Sequence, residues 1–245
     1  METTSYIALS KQGVLRRELT SIAHNLANMN TTGFKGERMM FVDHLQRSRS
    51  GDFIADQRLS FVRDVASYRD TSEGPIEQTG NPLDLAIHGE GFFAIETPDG
   101  ERYTRGGSFR LDNGGQLVTQ DGQPVLSDGG APVFFAPEDT SITINADGTI
   151  STENGQLGKL RIVQFDDAQD MEALGNGLYS TNQLPNAAPD TQVVQHALEK
   201  SNIQAITEIT RMIQVNREYA SAQKLMDRED DRIRKMVREL PSLQQ

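Results

Sequence analysis

The chain is predicted to be an α+β protein, with N- and C-terminal helices forming a coiled-coil unit around an inserted, mainly antiparallel β domain. Three observations predict this. Seventeen of the 21 glycines lie between Gly74 and Gly177. Both ends carry apolar residues at helical spacing. The glycine-rich middle shows two-residue alternation broken by repeated turn signals.

Residues 1–35 read as a helix and its exit. Leu15, Leu19, Ile22 and Leu26 follow a 4-3-4 spacing that puts them on one stripe, with Arg16, Arg17, Glu18 and His24 off it. The helix should end near "NMNTTGF", where asparagines and Gly33 tolerate the left-handed conformation of a C-terminal cap. Residues 36–75 are polar and irregular and read as an extended connector with short strands.

The β domain is expected over 76–180. Leu83, Leu85 and Ile87 alternate, as do Phe93 and Ile95, then Phe109 and Leu111. "PDG", "DNGG", "QDGQ", "SDGG" and "ADG" punctuate short hairpins, and "SITINADGTIST" should turn at Asp147-Gly148. "LGKLRIVQF" supplies a further strand.

Residues 190–245 are predicted to form one long helix pairing with 1–35. Neither glycine nor proline occurs between Asp190 and Leu240. Leu198, Ile203, Ile206, Ile209, Ile213, Tyr219 and Ala220 supply the apolar positions, continued by Met226, Ile233, Val237 and Leu240. At about 1.5 Å per residue the helix would reach roughly 60–75 Å. A lone striped helix of that length cannot bury its own stripe, so it needs the N-terminal helix, other copies, or both.

Composition narrows the function classes. Apolar residues make up 36% of the chain and aromatics 6%, thin for one compact globule and suggestive of surfaces that need partners. Cysteine is absent, which removes disulfides, thiolate metal sites and cysteine nucleophiles. The first 30 residues show no apolar core of a cleaved signal, and no run approaches a membrane-spanning length, so membrane insertion is not expected. Residues 51–195 carry 23 acidic against 8 basic side chains, which argues against a nucleic-acid partner for the middle.

The chemical motifs dissolve on inspection. "HGEGFFA" at 88–94 matches the glycine pattern of a dinucleotide loop, but Phe92 to Thr97 alternate like a strand and stop at Pro98. No helix follows to hold a phosphate, so the glycines are expected to form a hairpin bend. "TINADGTISTEN" resembles a calcium loop, yet Asn154 stands where a bidentate glutamate belongs. The four histidines show no metal-ligand spacing. Asp84 and His88 form the nearest approach to an acid–base pair. No catalytic residue, metal site or cofactor is expected.

Ala23 to Lys35, "AHNLANMNTTGFK", carries the most information. It resembles the N-terminal signature of the flagellar axial proteins, the rod and hook family. Asn25, Leu26, Ala27, Asn28, Thr31, Gly33, Phe34 and Lys35 match it position by position, while His24 replaces the usual asparagine. "NPLDLAIHGEGFFAI", "YTRGGSFRLDNGGQLVTQDGQPVL" and "LEKSNIQAITEITRMI" are similar to further family blocks in the same order. The resemblance is greatest to proximal rod members, with a distal rod or hook-type protein as the alternative. It implies a non-enzymatic subunit that leaves by the flagellar type III export apparatus without cleavage. It further implies helical polymerisation in the periplasm, with copies of itself and other rod subunits, into a torque-transmitting shaft. The implied assembly residues are the helical stripes: Leu15, Leu19, Ile22 and Leu26 against the positions around Ile206, Ile209 and Ile213, within and between subunits. A secreted β-rich enzyme and a surface-binding module are the readings from other classes.

Overall fold

Helical spacing at the two ends and alternation in the middle translate into two compact units. A computed structural model describes residues 2–47, 58–139 and 141–239. Residues 48–57 of the expected connector, and Leu240 with the rest of the C-terminal end, lie outside the described residues.

The terminal unit draws on Met1–Ala27, Glu37–Arg69 and Gln204–Gln245. Its helices are α1 (Glu2–Ala27) and α2 (Ala205–Glu239), and its strands are β1 (Glu37–Arg47) and β2 (Arg58–Arg69). The helices run antiparallel, because Glu18 receives Arg211 while Asn25 reaches Glu208. Leu15 and Ile22 bury against Val215, with Leu19, Met212 and Tyr219 packed around them. Arg211 grips Glu18 Oε1 with two nitrogens, Nε at 3.0 Å and Nη2 at 2.8 Å. The two strands pair antiparallel from Glu37↔Arg69 to Arg47↔Arg58, with one irregularity between Met40 and Phe41.

Two expectations are corrected here. The connector holds long strands of 11 and 12 residues rather than short ones, because the apolar residues of "ERMMFVDHLQR" and "RLSFVRDVASYR" fall largely in adjacent runs such as Met39–Val42 and Phe61–Val62, which hides the two-residue alternation of a strand. The C-terminal helix starts at Ala205, not near 190, and its 35 residues make it about 52 Å long. "QVVQ" and "ALE" before it are strands, with Val193, Ala197 and Glu199 turned inward.

The β unit comprises Asn28–Gly36 and Asp70–Ile203, so the β region runs well past the expected limit of 180. Its first strands are β3 (Ile76–Gln78), β4 (Leu85–His88), β5 (Phe92–Thr97), β6 (Gly100–Thr104), β7 (Phe109–Leu111) and β8 (Leu117–Thr119). Next come β9 (Thr143–Ile144), β10 (Thr149–Thr152), β11 (Gly155–Lys159) and β12 (Ile162–Gln164). The last are β13 (Glu172–Gly175), β14 (Leu178–Ser180), β15 (Asn186–Ala187), β16 (Gln192–Gln195) and β17 (Ala197–Glu199). The largest sheet is ordered β13-β14-β6-β5-β12-β15, and every named pairing is antiparallel.

The alternating residues do what their spacing demands. Leu85, Ile87, Phe93, Ile95, Phe109 and Leu117 share one buried cluster, with Leu83 packed on its edge and Phe93 meeting Phe109 edge-to-face at 5.2 Å. The opposite face of the large sheet is covered as well, by Tyr103, Phe165, Met171 and Tyr179 around Ala94. The turn at Asp147-Gly148 forms as expected, with Gly148 at φ +85° and β10 returning along β9.

Candidate functional site

The family-like signature, Asn25 to Lys35, divides between the two units, and each half performs a backbone task. In the terminal unit, α1 ends with Asn25 fully buried and pointing at the start of β1. Its Oδ1 accepts the Glu37 N–H at 2.9 Å and its Nδ2 donates to the Glu37 carbonyl at 2.8 Å. The amide thus mimics a strand partner for one residue, which no other side chain of that size can do on both sides. The same Nδ2 lies 3.5 Å from Glu208 on α2. His24, the departure from the signature, is exposed near Glu37. Leu26 is half-buried and Ala27 exposed.

In the β unit, Asn28 opens a turn: its carbonyl accepts Thr31 N–H and its Oδ1 accepts the Thr31 hydroxyl. Gly33 sits at φ +68°, and its N–H donates to the Glu199 carbonyl at 2.9 Å. A Cβ there would lie 2.5 Å from the carbonyl carbon of Arg105, so glycine is required twice over. Phe34 is half-buried, and Lys35 is buried with its Nζ 2.5 Å from Glu199 Oε1 and 2.8 Å from the Ser72 carbonyl.

Glu199 also accepts Arg105 Nε at 2.6 Å and the Gly74 N–H at 2.9 Å. Burial alone pushes its carboxyl pKa up. Arg105, Lys35 and the Gly74 amide outweigh that and hold it below the ordinary glutamate value. Burial is the leading effect on Lys35 and lowers its pKa, against the opposing pull of Glu199.

Arg105 explains the glycine pattern at 89–91. Its Nη1 donates to the Gly91 carbonyl at 2.5 Å, and its Nη2 to those of Ile87 and Gly89 at 3.1 and 2.7 Å. The loop turns carbonyl oxygens inward and cradles a cation, the opposite polarity to a phosphate site. It is also not the expected hairpin bend. β4 pairs with β16, and β5 pairs with β6 and β12, so the glycines turn a corner between sheets.

The predicted stripe residues separate into three groups. Leu15, Leu19, Ile22 and Tyr219 lie in the α1–α2 core. Leu198 and Ile203 precede α2, the first in β17 and the second against Gly36. Ile206, Ile209 and Ile213 are 82%, 44% and 48% exposed, and Ala220 is exposed too. The helix face that meets α1 instead runs through Glu208, Met212, Val215, Tyr219 and Ala222, a second 4-3-4-3 series. Glu208 heads that series, and its polarity hides it from a search for apolar residues. Sequence reasoning also passes over Glu199, Arg105 and Asn202. A glutamate in register with Val193 and Ala197, and an arginine before Gly106-Gly107, are the available signals.

The candidate acid–base pair does not form. Asp84 is buried and accepts Thr79 Oγ1 and Asn81 Nδ2, while His88 Nδ1 meets Glu73 at 2.8 Å in the open. Asp147 spends its carboxylate on the Thr149 N–H and hydroxyl. Among the described residues, no helix is long and apolar enough to cross a membrane.

The flagellar hook protein FlgE/F/G D1 domain matches residues 86–152, and the flagellar basal body rod FlgEFG C-terminal domain matches 194–239. The flagellar basal-body rod protein FlgF of Caulobacter vibrioides is 40% identical over 242 residues, covering 98% of both chains. FlgF of Rhizobium meliloti is 34% identical over 92% of both chains. FlgG of Bacillus subtilis is 31% identical over 95% of this chain and 97% of its own. Matched over nearly its whole length by such relatives, the chain belongs to the flagellar hook and basal-body rod family of FlgE, FlgF and FlgG.

Proposed function

We propose that this chain is a structural subunit of the bacterial flagellar basal-body rod, of the proximal FlgF type. It polymerises helically with copies of itself and other rod subunits into the shaft that carries torque to the hook. Catalysis plays no part. Greater identity to FlgF of Caulobacter vibrioides than to FlgG of the same organism, 40% against 34%, favours the proximal position over the distal one.

The observation that carries this reading is that α2 has two apolar faces. One, through Met212, Val215 and Tyr219, packs on α1. The other, through Ile206, Ile209 and Ile213, points roughly 120° away at 100° per residue and is open to water. Packing of that second face between copies, as a coiled-coil layer built from α1 and α2, supplies the cohesion of the shaft. The subunit reaches the periplasm through the flagellar type III export apparatus without losing a signal peptide.

The test pairs two substitutions in cells lacking the endogenous gene. Ile206→Asp with Ile213→Asp leaves the melting of the purified protein unchanged but abolishes rod assembly and swimming. Swimming at the wild-type rate with both isoleucines replaced would refute the reading.

A further inference from the structure

Three stretches of the β unit meet where the chain enters and leaves it: 34–36, 70–74 and 200–203. Asn202 lies among them with its amide used in both senses. Oδ1 accepts the Gly36 N–H at 2.9 Å, while Nδ2 donates to the Asp70 carbonyl at 2.8 Å and the Ser72 carbonyl at 3.1 Å. The Gly36 carbonyl in turn accepts the Asp70 N–H at 2.7 Å, closing a ring through residues 36, 70 and 202. Lys35 adds a bond to the Ser72 carbonyl, and Glu199 takes the Gly74 N–H. A Cβ on Gly36 would stand 2.4 Å from Ile203 Cδ1, so the stretches are also in close contact.

We infer that Asn202 is a clasp that makes these three stretches open and close as a single element. The clasp follows from the amide itself: one planar group reads an N–H of the first stretch and carbonyls of the second from the third. Breaking any one of these contacts removes the geometric support of the others, which is the condition for cooperative opening. A pull on one stretch is then shared by all three. This holds whether or not the chain works in the rod.

Amide hydrogen exchange on the full-length protein tests it. In the wild type, the amides of Gly36, Asp70 and Gly74 open with one constant, agreeing within about threefold. Constants that differ by more than that overturn the clasp, and this measurement needs no variant. Asn202→Ala speeds exchange at all three by at least about tenfold and leaves Leu85 and Ala94 in the core unchanged. Gly74 is the discriminating site, because its N–H is bound by Glu199 and not by Asn202. Acceleration confined to Gly36, with Gly74 at its wild-type rate, overturns the inference. Where Asn202→Ala is too unstable to measure, Asn202→Asp keeps the Gly36 acceptor and loses the donor to the Asp70 and Ser72 carbonyls: Gly36, Asp70 and Gly74 accelerating together support the clasp, and Gly74 at its wild-type rate overturns it.

Discussion

Lys35 and Glu199 are 164 positions apart in the chain, yet their charged atoms lie 2.5 Å apart in the buried part of the β unit. Arg105 completes the group from a third segment, so one carboxylate serves two cations and an amide. Removing the shared anion is therefore worse than removing either cation. Glu199→Gln strands two buried positive charges and should cost about 3–5 kcal/mol of stability. Lys35→Met leaves the Arg105–Glu199 pair intact and should cost markedly less. Urea titration followed by circular dichroism checks the order, and equal losses in the two variants contradict it.

The pH dependence follows from the same carboxylate. Glu199 has a folded pKa below its unfolded value, so the unfolded chain binds its proton more readily. The stability it contributes is fully present above the unfolded glutamate value, about 4.3, and is lost as pH falls through the folded pKa. Wild-type stability should fall more steeply below about pH 4 than that of Glu199→Gln, which has no such proton to gain. Parallel acid profiles for the two proteins count against this account.

Glycine substitutions should divide by backbone contact. Gly33→Ala meets the Arg105 backbone at 2.5 Å with φ at +68°, and Gly107→Ala meets the Leu85 carbonyl oxygen at 1.7 Å. Neither obstacle is a side chain that can swing aside, so both variants should lose more than about 2 kcal/mol. Gly13 lies within α1, and a Cβ added there would find nothing within 4 Å, so Gly13→Ala should add up to about 1 kcal/mol of helix stability. Thermal melts of the three variants give the signs directly.

Local rules make much of this fold legible. Leu15, Leu19 and Ile22 recur at a spacing only a helix satisfies, and they are the residues that pack. Leu85, Ile87, Phe93 and Ile95 alternate because a strand buries every second side chain, and they form the core. Phase and distance are what such rules miss. In α2 two 3-4 series coexist, and the more apolar one, through Ile206, Ile209 and Ile213, is the one left in water. The start of α2 is hidden because "TQVVQHALEK" satisfies helix and strand alike until Leu85–His88 and Ile76–Gln78 are there to pair with it. Lys35 finds Glu199 only after the β unit has folded, and no spacing rule spans such a separation.

Asn25 offers the sharpest test of the signature, because an isosteric change reverses one of its hydrogen bonds. Asn25→Asp keeps the acceptor for the Glu37 N–H but loses the donor to the Glu37 carbonyl, 2.8 Å away. It also sets a second carboxylate beside Glu208, itself only 3% exposed. Two buried carboxylates at that separation repel each other, with little water between them to screen the charges. The variant should therefore be weaker than wild type by about 2–4 kcal/mol at pH 7. Asn25→Asp combined with Glu208→Gln removes the repulsion and restores a donor, so its deficit at pH 7 should be smaller than that of the single variant. Helix melting at 222 nm in the full chain at pH 7 measures both deficits, and a double variant no more stable than Asn25→Asp would break the proposed link between α1, β1 and α2.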